Sequence, residues 1–325
     1  MPITSIDQNA EDLTLTIIAD FPVPVRRLWD AYADPRQLEK FWGPVECPAV
    51  FTRHDLTTGG RSHYSMTLPD GSVSRGYWEF VAVDPLRSFE VRDGFADEDG
   101  VPSAEMPSMR MVFAFTETES GSRLTTTTFF HAADELEQLL EMGMLEGTKS
   151  AMGQIDDVLA DLASFAADRG TDAQLLDDTT VRVSRVIRGS VDHVWRAHHD
   201  PALLRRWMLG PDGWTMPVCE PAQKVGDTFR YEWESDDGTE RFGFTGEVLE
   251  SVPPAHEAAT EAMIGMDGPG TTNEMTLTAV DGGTLLATVI TYPSREMRDR
   301  VLGTGMVDGM ESSYARMESE VLSVA

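Results

Sequence analysis

The chain has 325 residues, which is enough for two hydrophobic cores of about 150 residues each. Its composition, 41% hydrophobic and 25% charged residues, is typical of a soluble globular protein. Acidic residues outnumber basic ones 55 to 26, and the net charge of −29 repels phosphate backbones and anionic membranes, which argues against nucleic-acid binding.

The first half begins with a strand and two short helices. After a polar leader, the alternating residues 12–20 predict a strand. The next segment has helical spacing, with Leu28 and Trp29 on its apolar face. Asp34-Pro35 then predicts a second helix, with Asp as its N-cap and Pro in its first turn.

A series of strands and a long helix follow. Turn signals rich in Gly, Pro and Asp separate the strands, and such short connections pair neighbouring strands antiparallel. The predicted strands are 49–57, 62–68, 74–83, 87–93, 108–117 and 122–131. Helical spacing then extends over 134–167 and includes Gly143 and Gly147. Because glycine costs about 1 kcal/mol against alanine in a helix, we expect these residues to allow a bend or a close approach of the backbone to the sheet, and at Gly147 we expect the helix to press against the sheet.

From residue 179 the same order of features repeats. The G-M-x-x-G of residues 143–147 recurs at 305–309, inside a second predicted helix that Ser294 caps. The paired positions include Trp29 with Trp195, Asp34 with Asp200, Phe41 with Trp207, Gly60 with Gly226, Glu79 with Glu247, Met111 with Met275, and Gly121 with Gly282. The sequence therefore predicts two α+β domains, at 8–168 and 176–325, each burying one sheet face against its final helix.

Several motifs resemble one family. The runs LWDAYADPRQLEKFWGP and VWRAHHDPALLRRWMLGP, and the two G-M-x-x-G helices, are similar to the heat-shock protein 90 ATPase activator homologue family. That family belongs to the START-like (SRPBCC, polyketide cyclase/dehydrase) superfamily, and the resemblance covers nearly the whole chain as two tandem copies. It implies two helix-grip domains, each a curved antiparallel sheet wrapped around a long C-terminal helix with a cavity between them. It does not select a function, because the superfamily includes lipid carriers, cyclases, hydrolases and co-chaperone domains.

Aromatic and methionine side chains predict the lining of such a cavity, since ligand pockets are mostly apolar and methionine adapts to varied shapes. In the first copy the predicted lining is Trp78, Met111, Phe113, Phe130, Met144 and Met152. In the second copy it is Trp207, Trp214, Trp233, Phe244, Met275, Leu277, Tyr292, Met306, Met310 and Tyr314. A filled core is the alternative. The second copy is favoured because Tyr292 and Tyr314 add hydroxyls that could orient the polar end of a ligand.

Three residues are candidates for acid–base chemistry. Glu79 and Glu247 occupy equivalent strand positions, and burial in an apolar cavity would raise their pKa. Side chains alternate along a strand, so Glu79 and Trp78 lie on opposite faces of the sheet. This favours a glutamate on the outer face. Tyr314 is the third candidate.

No metal site or bound cofactor is predicted, because Cys47 and Cys219 form no C-x-x-C pair and the spacing gives His198-His199 no third ligand. The sequence also shows no secretory pattern and no apolar run near the roughly 18–20 residues that span a bilayer, so we expect a cytoplasmic protein without membrane insertion.

The function favoured by the sequence is binding of a small hydrophobic or amphipathic molecule. One alternative is a cyclase, aromatase or hydrolase that acts on a hydrophobic substrate in the same cavity. The other is a protein-interaction module of the co-chaperone kind, whose partner the sequence does not identify.

Overall fold

The computed structural model describes residues 3–9, 11–98, 100–103, 108–133, 136–137, 144–161, 170–210, 213–266 and 268–322. The chain divides into two compact units, Met1–Ala163 and Ser164–Ala325, and each is described by itself. Each unit contains one eight-stranded antiparallel sheet.

The first unit orders its strands β1-β2-β8-β7-β6-β5-β4-β3. They are β1 Ile3–Asn9, β2 Thr14–Phe21, β3 Ala49–His54, β4 Arg61–Thr67, β5 Val73–Asp84, β6 Ser88–Phe95, β7 Met109–Thr118 and β8 Gly121–Phe129. Its helices are α1 Val25–Ala33, α2 Pro35–Leu38 and α3 Met144–Ala160.

The second unit repeats this arrangement with the order β11-β12-β13-β14-β15-β16-β10-β9. Its strands are β9 Asp172–Leu175, β10 Thr180–Ile187, β11 Trp214–Glu220, β12 Thr228–Ser235, β13 Arg241–Val252, β14 His256–Met263, β15 Thr271–Val280 and β16 Gly283–Thr291. Its helices are α4 Val191–His199, α5 Pro201–Trp207, α6 Arg295–Leu302 and α7 Met306–Met317, which continues as a π-helix over Glu318–Leu322. No helix among the described residues is long and apolar enough to cross a bilayer.

The second short helix begins in the same way in both units, as predicted. The Asp34 side chain accepts a hydrogen bond from the N–H of Arg36, and the Asp200 side chain accepts one from the N–H of Ala202. Each aspartate thereby satisfies a backbone donor that the first turn leaves without a partner.

The C-terminal helix of each unit is tied to the loop that follows the second short helix. Nε2 of Gln154 on α3 donates to the carbonyl of Gly43 at 2.9 Å. Nη1 of Arg316 on α7 donates to the carbonyl of Gly210 at 3.2 Å. A long donor side chain at the same helix position therefore holds the helix over the sheet in both copies.

Three expectations about which segments form strands and helices were wrong. The polar leader forms β1, which pairs with β2, and the connector between the copies contains β9, which pairs with β10. The predicted second long helix is interrupted, since α6 ends at Leu302 and Gly305, with φ of 80°, begins α7 as its N-cap. In the first copy, residues 134–135, 138–143 and 162–169 of the predicted helix lie outside the described residues.

The expectation that the helix glycines press against the sheet is also wrong. A Cβ added at Gly147 or Gly309 has no heavy atom within 4 Å. The close approaches are instead at the start of β8 and β16, where a Cβ at Gly121 would lie 2.1 Å from the carbonyl oxygen of Phe21 and one at Gly283 would lie 2.0 Å from that of Ile187. The repeat therefore pairs Gly121 with Gly283, one residue later than predicted.

We predict opposite effects of alanine at these two kinds of glycine. Gly283→Ala should lower the melting temperature of the full chain, because its φ of 149° and the nearby carbonyl both exclude a side chain. Gly309→Ala should raise it, because the helix interior gains about 1 kcal/mol with no clash. Differential scanning calorimetry measures both. A stabilising Gly283→Ala together with a destabilising Gly309→Ala would contradict the described backbone.

Candidate functional site

Both units place a carboxyl group at the same position of the same strand. Asp93 on β6 and Glu261 on β14 occupy equivalent positions, because the two strands are equally long and pair with equally long neighbours, β5 and β13. Burial raises the pKa of both groups. Acidic side chains are rarely removed from water without an ion-pair partner. Asp93 and Glu261 therefore mark a candidate site in each unit.

In the first unit, two donors meet at one oxygen of this carboxyl. Nε1 of Trp78 donates to Oδ1 of Asp93 at 2.9 Å, and the hydroxyl of Tyr64 donates to the same oxygen at 3.1 Å. Burial, only partly opposed by these bonds, raises the pKa of Asp93 to about 6. Burial and the charge of Asp93 hold the pKa of Tyr64 well above its ordinary value.

Aromatic rings pack closely around this carboxyl. The Phe89 and Phe113 rings stack with centroids 4.5 Å apart, and Trp42 meets Trp78 edge-on at 4.6 Å. Among the described residues of the first unit, the rings at most 3% exposed are Phe21, Trp29, Tyr32, Phe41, Phe51, Trp78, Phe80, Phe89, Phe113 and Phe115. The predicted lining residues Trp78, Met111, Phe113, Phe130 and Met152 all belong to this core, and the side chain of Met144 lies outside the described part of the chain.

The second unit has lost most of these rings at the equivalent positions. Strand length and register place Cys219, Gly246, Val248, Glu257, Met275 and Leu277 where the first unit has Phe51, Trp78, Phe80, Phe89, Phe113 and Phe115. The repeat also pairs Met111 with Asn273, and not with Met275 as predicted. Side chains that are smaller or more flexible therefore surround Glu261.

New rings stand on β13, which pairs with β14, and on β12, which pairs with β13. Phe244 on β13 takes the place of Gly76, and Trp233 on β12 takes the place of Met66. Trp233 and Phe242 stack with centroids 5.0 Å apart, and Trp214 meets Phe242 at 5.2 Å. The rings of Trp214, Tyr231, Phe242 and Phe244 are half-buried, as are Met275 and Met310, although all pack against the core. Apolar surface on the inner face thus stays accessible.

A polar group lies within this apolar surface. The side chain of Asn273 hydrogen-bonds the Glu261 carboxyl, and burial raises the pKa of Glu261. Burial, followed by the charge of Glu261, raises the pKa of Tyr292 to about 12, and the pKa of Tyr231 rises for the same two reasons among others. The negative charge of Glu261 therefore contributes to the raised pKa of both tyrosines. The Tyr292 hydroxyl donates to Sδ of Met306 at 3.7 Å.

The model of one family matches the chain twice. The model described as "Activator of Hsp90 ATPase homolog 1-like protein" matches residues 22–160 and 188–321. The chain belongs to this family. Its two START-like, helix-grip α+β domains are those that the sequence predicts.

Solved structures similar to this Hsp90 ATPase activator homologue-like chain each match about half of it. A Mycobacterium smegmatis protein is 49% identical, with 49% of this chain and 98% of that chain covered and a TM-score of 0.46. An Arthrobacter aurescens protein is 40% identical, with 49% and 92% covered and a TM-score of 0.46. A Rhodobacter sphaeroides protein is 29% identical, with 46% and 96% covered and a TM-score of 0.44. No curated protein matches the chain.

The three acid–base candidates lie in three different environments. Glu79 lies on the outer side of the first sheet, where its carboxylate pairs with Arg92 at 3.0 Å, and Glu247 is exposed. Tyr314 is buried on α7, stacked on Trp207 with centroids 6.1 Å apart, and its hydroxyl hydrogen-bonds Thr288. The remaining predicted residues of the second copy all lie in the layer between its sheet and its final helices.

The Asp93 and Glu261 carboxyls were not predicted from the sequence. Tyr64 and Tyr231 occupy equivalent positions on β4 and β12, as Asp93 and Glu261 do on β6 and β14. The available signal was an acidic residue at the same place in each copy of the repeat. The match is hard to see because the residue is Asp93 in the first copy and Glu261 in the second. The residues that follow, Gly94 and Ala262, also differ.

The raised pKa of Asp93 predicts how stability changes with pH. Its ordinary value is 3.8 and its folded value about 6, so the folded state binds the proton more tightly than the unfolded chain does. The resulting stabilisation is complete below about pH 4 and is lost as the pH rises toward about 6. Asp93→Asn keeps an acceptor at Oδ1 and does not titrate. At pH 7.5 it should stabilise the protein by roughly 2–3 kcal/mol, and near pH 4 it should have little effect.

Thermal melts of the two proteins from pH 4 to pH 8 test this prediction. Glu79→Gln is the matched control, since it removes an exposed carboxylate from the adjacent strand. A gain on Asp93→Asn that is the same at every pH would show that the Asp93 carboxyl does not titrate in this range.

Proposed function

We propose that the second unit binds a small hydrophobic or amphipathic molecule between its sheet and its C-terminal helices, and that the first unit is a packed counterpart of the same fold. The observation that carries this proposal is the contrast between equivalent positions. Where the first unit buries Trp78 and Phe113, the second has Gly246 and Met275. The buried ring of Phe229 approaches Gly246, whereas Met275 and the rings of Phe242 and Phe244 are half-buried.

The chemistry of the inner face supports an amphipathic ligand. Its half-buried aromatic and methionine side chains offer apolar contact of adaptable shape. Glu261, Asn273 and the hydroxyls of Tyr231 and Tyr292 supply a few polar groups at one place, as ligand sites generally do to fix orientation.

Acid–base catalysis is a second candidate function at the same place. A carboxyl whose pKa is raised by burial is a group that hydrolases and cyclases can use as a base. In that case Glu261 would be the base, and not Glu247. An enzyme of this kind would lose turnover on Glu261→Gln while it still binds its substrate.

Binding of the neutral fluorescent probe N-phenyl-1-naphthylamine tests the proposed function. We predict that its fluorescence rises on addition of the full chain. Met275→Phe, which restores the ring of the first unit at this position, should weaken binding by about tenfold. Phe113→Met is the matched control in the first unit and should leave the affinity of the second unit unchanged.

Circular dichroism identifies any variant that fails to fold, and Met310→Phe, which fills the same space from α7, then replaces Met275→Phe. Absence of probe binding to the wild-type chain would contradict the proposed function. So would equal binding by the wild-type and both ring-filling variants.

A further inference from the structure

We propose that the second unit selects an organic cation with an apolar tail, with its ammonium group held between Glu261 and the aromatic rings of β12 and β13. This inference rests on the proposed function and specifies the chemical class of its ligand. The Glu261 carboxylate, the rings beside it and the surrounding charge carry it.

Glu261 has no cationic partner within the part of the chain that the structure describes. Its hydrogen bond comes from the neutral amide of Asn273. Two buried arginines on β10 and α6 already have acidic partners: Arg185 pairs with Glu311 at 2.9 Å and Glu318 at 3.2 Å, and Arg298 pairs with Asp299 at 2.7 Å. A ligand that brings a positive charge would therefore supply Glu261 with the ion pair that the protein does not.

The rings near Glu261 suit the same charge. Tyr231 lies directly opposite Phe244 across β12 and β13, and Trp233 lies opposite Phe242. Phe244 in turn lies opposite Met263 on β14, two residues beyond Glu261 and on the same face. An ammonium group within about 6 Å of the faces of such rings is attracted by their quadrupoles, and most strongly by Trp and Tyr.

Anionic head groups are disfavoured at this place. Glu257, four residues before Glu261 on β14, presents a second carboxylate to the same face, where His199 contacts it at 3.0 Å. A fatty-acid carboxylate would bring a like charge into partly desolvated surroundings beside Glu261. The net charge of −29 adds a long-range field that attracts cations and repels anions.

We do not expect the first unit to select a cation, although it has the equivalent carboxyl group at Asp93. Oδ1 of Asp93 already accepts from Trp78 and Tyr64, and the Trp78 indole is completely buried over it. Gly246 stands at the position of Trp78, and the ring that approaches it is Phe229, which has no N–H to donate to Glu261. The selectivity is therefore expected in the second unit alone.

Isothermal titration of the full chain with three probes of equal chain length tests the inference: octyltrimethylammonium, octanol and octanoate. The cation should bind about tenfold more tightly than octanol, and octanoate should bind least. Glu261→Gln should weaken binding of the cation by about tenfold and leave binding of octanol unchanged. Glu247→Gln, which removes the same charge from an exposed position one strand away, should change neither affinity.

Each other result has a defined meaning. If octanol binds as tightly as the cation, or if the two glutamine variants weaken the cation equally, the cation inference is overturned while the proposed function stands. If none of the three probes binds or displaces N-phenyl-1-naphthylamine, both are overturned. Retained binding of octanol shows that Glu261→Gln has kept its fold.

Discussion

Each sheet carries a carboxyl group on its inner face, and the two units differ in how they stabilise it. Removing a carboxylate from water is costly unless donors or a cation compensate for the lost hydration. The first unit compensates Asp93 internally, with an indole N–H and a phenol O–H directed at one oxygen. In the second unit, the amide of Asn273 donates to Glu261, and no cation among the described residues pairs with this carboxylate.

The surrounding core follows from that difference. Trp78 covers Asp93 and also meets Trp42, Phe51 and Phe80 in edge-on contacts, so the donor that satisfies the carboxyl also fills the space above it. Without an indole at Gly246, the rings of the second unit stand on β12 and β13, and Met275 and Met310 pack half-buried against the core. One duplicated fold thereby yields a closely packed unit and a unit with accessible apolar surface. The proposed site belongs to the half of the chain that has fewer buried aromatic rings.

Most of the fold could be predicted because it depends on local signals. Asp34 and Asp200 cap their helices through their own side chains, and the turn residues fix which strands are neighbours. The break before Gly305 was missed because apolar residues keep a helical spacing across it, and periodicity does not report a left-handed residue. The strand β9 was missed because a four-residue edge strand carries too little alternation.

The candidate site could be predicted only in part. Its apolar members were expected from the repeat, and Met275 and Phe244 pack against the core of the second unit. Its polar members depend on register between strands: only the pairing of β13 with β14 shows that Gly246 and Glu261 occupy the places of Trp78 and Asp93. Glu247 attracted attention because it repeats with the same residue type, whereas the buried carboxyl repeats with a different one.

The most direct test of this account is a crystal structure of the full chain grown with a bromine-tagged cation, 8-bromooctyltrimethylammonium, and measured at the bromine absorption edge. The account predicts one bromine site between the sheet and α7 of the second unit, with the ammonium group between Glu261 and the rings of Tyr231 and Phe244. Bromine found only inside the first unit, or only on the outer faces of the sheets, would contradict it.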